Sequence, residues 1–106
     1  MNSTRTKVYL ISYDIADDKC RTRIADVLEQ YGYERLQYSV FIGPLRSKNV
    51  EPLWKELAAL VQPEEFPADR LIVIPLDIAL LKKSMLLGAE MLDWSYICGE
   101  TKAIVF

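Results

Sequence analysis

Apolar residues change their spacing several times along the chain, and each change marks an element. Val8-Tyr9-Leu10-Ile11-Ser12-Tyr13 is nearly continuous in apolar character and rich in β-branched and aromatic side chains. That predicts a central strand covered on at least one face and ending at Asp14. From Asp17 the period lengthens: Cys20, Ile24, Val27, Leu28 and Tyr31 recur at spacings of three and four, the stripe of a helix stopped by Gly32. Residues 33–45, YERLQYSVFIGPL, read as extended structure, long enough for two short strands or one bent one. Ser47 opens a second helix with the stripe Val50, Leu53, Trp54, Leu57, Ala58 and Val61, and the segment Pro63 to Pro67 ends it as a loop. Arg70-Leu71-Ile72-Val73-Ile74-Pro75-Leu76 then reads as another buried strand.

This order, βαββαβ, is the split pattern of an α+β, ferredoxin-like sandwich: an antiparallel sheet with two helices on one face. Residues 1–77 form the core, and 78–106 form a C-terminal helix and strand extension of the same single domain. In the extension Asp77 is placed to cap a short helix over Ile78 to Leu87, stopped by Gly88. Trp94, Tyr96 and Cys98 alternate after it, and Ala103-Ile104-Val105-Phe106 is an apolar strand. Such a strand at a terminus is expected to pair with a sheet edge, that of a partner subunit in a homodimer.

Composition narrows the chemistry. Of 106 residues, 51% are hydrophobic and 26% charged, with a net charge of −2, so a wholly basic nucleic-acid coat is excluded while a local basic face is not. No apolar run approaches the length of a membrane span, and MNSTRTK lacks the apolar core of a signal peptide, so a cytoplasmic protein without membrane contact is expected. Cys20 and Cys98 are far apart and read as packing residues. With no histidine, imidazole bases and His-ligated transition metals are excluded, leaving carboxylates, hydroxyls, cations and water.

Asp14, at the end of a buried strand, either caps loop amides or holds a hard cation through oxygen. One carboxylate is a poor magnesium site unless a two-fold dimer brings a second copy beside it. Asp17 and Asp18 suit the first helical turn, where the macrodipole favours negative charge. Arg21 and Arg23 are awkward in that turn, and either pair with Asp17 or Asp18 or contact phosphate. Arg35, Gln37, Tyr38, Ser39 and Phe41 lie on the extended stretch, where alternation puts Arg35, Gln37, Ser39 and Phe41 on one face if no bulge intervenes. That face suits either a nucleic-acid strand or a half-covered edge. Arg46, Lys48, Lys82 and Lys83 read as solvated surface, with DNA backbone contact as the alternative.

Taken together, YLISYDIADDKCRTRIADVLEQYGYERLQYSVFIGPL and the later strand RLIVIPL resemble the CRISPR-associated protein 2 family, over roughly residues 7–77. The most specific parts are Tyr13-Asp14-Ile15, the Asp-Asp-x-x-Arg-x-Arg run after it and RLQYSVF at Arg35 to Phe41. The resemblance implies a ferredoxin-like homodimer whose C-terminal strand crosses to the other subunit. Its function would be CRISPR adaptation (spacer acquisition), with binding to the CRISPR-associated protein 1 integrase and to double-stranded DNA or single-stranded RNA. Some members are described as Mg2+-dependent endonucleases. The resemblance further implies that Asp14 is the metal ligand at the two-fold, with Tyr13 beside it, and that Arg21, Arg23, Arg35 and Phe41 serve catalysis. A purely structural DNA-binding scaffold is the alternative, and a toxin-type ribonuclease or an RNA-binding module of similar fold a further one.

Overall fold

The computed structural model describes residues 6–62, 64–84 and 87. Their order is β1 (Thr6–Asp14), α1 (Asp18–Gln30), β2 (Glu34–Gln37), β3 (Val40–Arg46), α2 (Ser47–Leu60), β4 (Arg70–Leu76) and α3 (Ile78–Leu81). The four strands form one sheet in the order β2-β3-β1-β4, with every neighbouring pair antiparallel. This is the ferredoxin-like α+β arrangement that the spacing predicts.

Each end of α1 is set by its sequence. The Asp17 carboxylate accepts from the Cys20 N–H at 2.9 Å, as an N-cap should. At the other end Gly32 adopts φ 88°, and the Tyr33 and Gly32 amides donate to the Leu28 and Glu29 carbonyls, both at 3.0 Å. This pair of bonds closes the helix and turns the chain into β2, and it needs the left-handed conformation that glycine adopts without strain.

Period-two alternation divides the sheet into two faces. Tyr9, Ile11 and Tyr13 of β1, Phe41 and Leu45 of β3, and Leu71 and Val73 of β4 pack with Ile24, Ala25 and Leu28 of α1 and Leu53 and Leu57 of α2. Both helices therefore cover one face. On the other, Val8 and Ile42 form a second, smaller cluster with Leu36, Leu76, Ile78 and Leu81.

Several expectations need correction. Residues 33–45 form two strands joined through Tyr38-Ser39, and the register shifts between Arg35 and Gln37. Neither turn residue has positive φ, so the hairpin lacks the mirror-image turns that match strand twist, and an irregular register accommodates the splay. Gln37 pairs with Val40 whereas Arg35 pairs with Phe41, so Arg35 and Gln37 lie on opposite faces. β4 is not a buried strand: its exposure alternates, and Ile72 and Ile74 are 53% and 38% exposed. Its continuous apolar run lies at the edge of the sheet, with α1 and α2 on one side only. In the α2 stripe Leu53 and Leu57 are buried, but Val50 and Trp54 lie at its exposed margin. α3 begins at Asp77, which caps the Leu80 amide, but ends at Leu81 rather than Leu87. The amides of Lys83 and Ser84 reach back only three residues, to Leu80 and Leu81, a tightening that ends the helix. The predicted strand segments around Trp94, Tyr96, Cys98 and Ala103 to Phe106 lie outside the described residues.

Candidate functional site

A cleft of about 410 Å³ lies between α1 and the β2–β3 hairpin. One wall is a single face of α1: Asp18, Arg21, Thr22, Ala25, Asp26 and Glu29, residues that recur at helical spacing. Tyr13 of β1, Arg35 of β2, and Tyr38 and Ser39 of the hairpin turn complete it. Tyr13 is buried and its ring stacks on that of Phe41, with centroids 6.3 Å apart and planes 19° from parallel. The Arg35 guanidinium lies 4.8 Å from the Phe41 centroid and 6.0 Å from that of Tyr38. It also donates to the Tyr38 carbonyl, so the cation is fastened to the turn whose aromatic ring it faces.

Burial raises the Tyr13 hydroxyl above its ordinary pKa, a shift that Arg35 and Arg21 oppose. The neutral phenol is thus the form this floor favours. A second main-chain tie, from the Tyr13 amide to the Ser39 carbonyl at 3.0 Å, binds the end of β1 to the hairpin turn.

Arg21 answers the question its position in the opening turn raises. One terminal nitrogen donates to the Ile15 carbonyl at 2.7 Å and to the Ala16 carbonyl at 3.0 Å, and the other is ion-paired with Asp18. The guanidinium thereby holds the loop between β1 and α1. From the other side, Asp69 accepts from the Ala16 amide at 2.9 Å, fixing the same loop.

Asp14 stands apart from the cleft. It is the last residue of β1, is exposed, and pairs in register with Arg70 of β4. Alternation places it on the sheet face opposite Tyr13, the face that carries Leu10, Ser12, Ile72 and Ile74. Neither ion pair among the described residues involves it. Among those residues no three His, Cys, Asp or Glu side chains group to hold a metal ion. A single chain therefore offers magnesium one exposed carboxylate at this strand end, which does not make a site.

Arg23 is exposed and lines a separate concavity of about 360 Å³ with Asp17, Lys19, Cys20, Glu65 and Asp69. There the Cys20 thiol, raised in pKa chiefly by burial, donates to the Leu60 carbonyl at 3.2 Å, a packing role. Of the six residues singled out in the sequence, the structure thus brings Tyr13, Arg21, Arg35 and Phe41 together and leaves Asp14 and Arg23 elsewhere. Sequence reading missed Asp26 and Glu29, although their spacing from Thr22 was a usable signal. It also missed Asp69, which lies 53 positions from the loop it fixes.

Comparison with known proteins bears on the family and the fold. The family model described as CRISPR associated protein Cas2 matches residues 7–83. A protein of Archaeoglobus fulgidus named CRISPR-associated endoribonuclease Cas2 1 is 38% identical over 69 residues, which span 65% of this chain and 70% of that one. One from Synechocystis, CRISPR-associated endoribonuclease Cas2 3, is 47% identical over 58 residues, 55% of this chain and 62% of its own length. Among solved structures, a hypothetical protein from Thermus thermophilus superposes with a TM-score of 0.66 at 29% identity, covering 83% of this chain and 98% of that one. A structure described as cas2 shares the fold with a TM-score of 0.61 at 19% identity, covering 83% of this chain and 99% of its own. With 77 consecutive positions under the family model and the same sandwich in its structural neighbours, the chain belongs to the CRISPR-associated Cas2 family.

Proposed function

We propose that this chain works as a two-fold homodimer, joined through the open face of its sheet, that cleaves phosphodiester bonds in RNA in a CRISPR system. The observation that carries the reading is the position of Asp14: an exposed carboxylate, beside Arg70 in register, at the strand end of a sheet face whose middle carries the partly exposed apolar residues Leu10, Ile72 and Ile74. A two-fold contact across that face offers two carboxylates to one Mg2+, which supplies Lewis acidity and an activated water when bound. The names of the relatives, CRISPR-associated endoribonucleases, support the reaction class.

The chain's own residues then divide the remaining work. Tyr13 and Phe41 stack as a rigid floor, and Arg35 lies over it as a fixed cation. Arg21 sets the loop that follows Asp14, and Arg23, exposed on the far side of α1, is free to meet a neighbouring phosphate. Without histidine, the proton for the leaving oxygen comes from water or a carboxylate.

A second reading has its own support. Both cations lining the cleft, Arg21 and Arg35, are already engaged by main-chain carbonyls, and Asp14 and Arg23 stand apart from it. This favours a scaffold that binds double-stranded DNA and the CRISPR-associated protein 1 integrase and leaves cleavage to its partner. Asp14→Asn separates the two. The nuclease reading expects at least a hundredfold loss of RNA cleavage with the dimer intact, measured with Mg2+ on purified protein. Unchanged cleavage rejects it.

A further inference from the structure

The cleft between α1 and the hairpin is a better receptor for a base than for a phosphate. Its charged lining holds three carboxylates, Asp18, Asp26 and Glu29, against two guanidiniums, Arg21 and Arg35. Both guanidiniums are engaged by carbonyls, and Arg21 also by Asp18. The guanidiniums keep their charge but their directions are set by these bonds, and the lining as a whole is net acidic, which disfavours a phosphate inside the cleft. At the mouth stands Tyr38, 73% exposed at the hairpin turn, with the Arg35 guanidinium 6.0 Å from its ring centroid. A large aromatic ring left in water beside a cation, over a concavity of about 410 Å³, is the arrangement on which an unpaired base stacks.

The geometry points to a nucleobase subsite: Tyr38 stacks an unpaired base of single-stranded RNA, and Asp26 and Glu29 accept hydrogen bonds from its edge. Carboxylates select bases that present N–H donors. Guanine offers two adjacent donors, N1–H and the 2-amino group, that fit one carboxylate, and it is the preferred occupant. The phosphates then lie outside the cleft. This inference rests on the chain being an RNA-binding protein, and it adds to that reading where the strand enters and which base is read.

The full chain is titrated in EDTA with three fluorescein-labelled octamers, read by anisotropy: (GU)4, the same sequence with inosine for guanosine, and an abasic octamer that keeps every phosphate. The abasic strand is expected to bind about 5- to 150-fold more weakly than (GU)4, the range for loss of one stacked base. Tyr38→Ala brings (GU)4 down to the abasic level, and Tyr38→Phe restores it. Inosine, lacking the 2-amino group, binds several-fold more weakly to the native chain but not to the Asp26→Asn, Glu29→Gln double variant. Equal affinity for the abasic strand, or Tyr38→Ala within twofold of native, overturns the subsite, and inosine binding equal to guanosine overturns the choice of base. A native chain that binds (GU)4 through Tyr38 yet cleaves no RNA rejects the nuclease reading and leaves the subsite standing. A chain that neither binds nor cleaves sinks both.

Discussion

The two faces of the sheet are built to different degrees. On the helix-covered face, Phe41 and Ile11 are completely buried, Tyr13 is stacked and tied to the hairpin, and α1 and α2 complete the enclosure. On the open face, the same strands leave Ile72 and Ile74 exposed and bury little beyond Val8 and Ile42. One chain thus completes the first face by itself, whereas the second presents partly exposed apolar area with Asp14 and Arg70 side by side at one end. On the proposed function, the difference separates what one chain does to fold from what a second copy would add.

Substitutions on the two faces should therefore fail in different ways. Phe41→Ala is expected to have the largest effect, about 3–5 kcal/mol of lost stability, because a fully buried ring leaves a cavity in the covered core. Its denaturation midpoint should fall at every protein concentration. Ile72→Asp with Ile74→Asp should instead leave a folded chain that sediments as a monomer, since both side chains already lie in water within one protomer. Unfolding of that double variant, or an unchanged dimer, would erase the distinction between the faces.

The smallest expected effect tests the covered face from inside. Tyr33 is 4% exposed, and among the described residues its hydroxyl has no hydrogen-bond partner. Tyr33→Phe is accordingly expected to be as stable as the native chain or about 1 kcal/mol more so. Burial raises the Tyr33 pKa well above its ordinary value of 10.0. A raised folded-state value stabilises the fold below the unfolded pKa, and that contribution is lost as pH rises through the folded one. Native stability should thus decline above about pH 10. Tyr33→Phe should flatten the decline without abolishing it, because Tyr13 and Tyr31 are shifted in the same direction. Chemical denaturation across the alkaline range reads both effects.

The sequence disclosed elements wherever a local signal governed them. Asp17 and Gly32 punctuate α1 as their chemistry requires, and the βαββαβ order followed from changes of period. Long-range ties were not legible: nothing in the sequence near Asp69 announces that its carboxylate will hold the Ala16 amide. The apolar run of β4 was misread because continuity signals burial on two sides, and position at a sheet edge is a property of topology. The Arg35–Phe41 pair was anticipated, but by alternation along one strand, whereas it arises by pairing across a hairpin whose turn lacks glycine. The separation of Asp14 from Tyr13 follows from period two alone, since adjacent strand residues cannot share a face.

In the proposed dimer, Asp14 is completed by a second copy of itself. Titration calorimetry of the native protein with Mn2+, standing in for Mg2+, tests it through stoichiometry. One ion is expected for every two chains and none for Asp14→Asn, with the dimer retained. One ion per chain, or binding that survives Asp14→Asn, would contradict it.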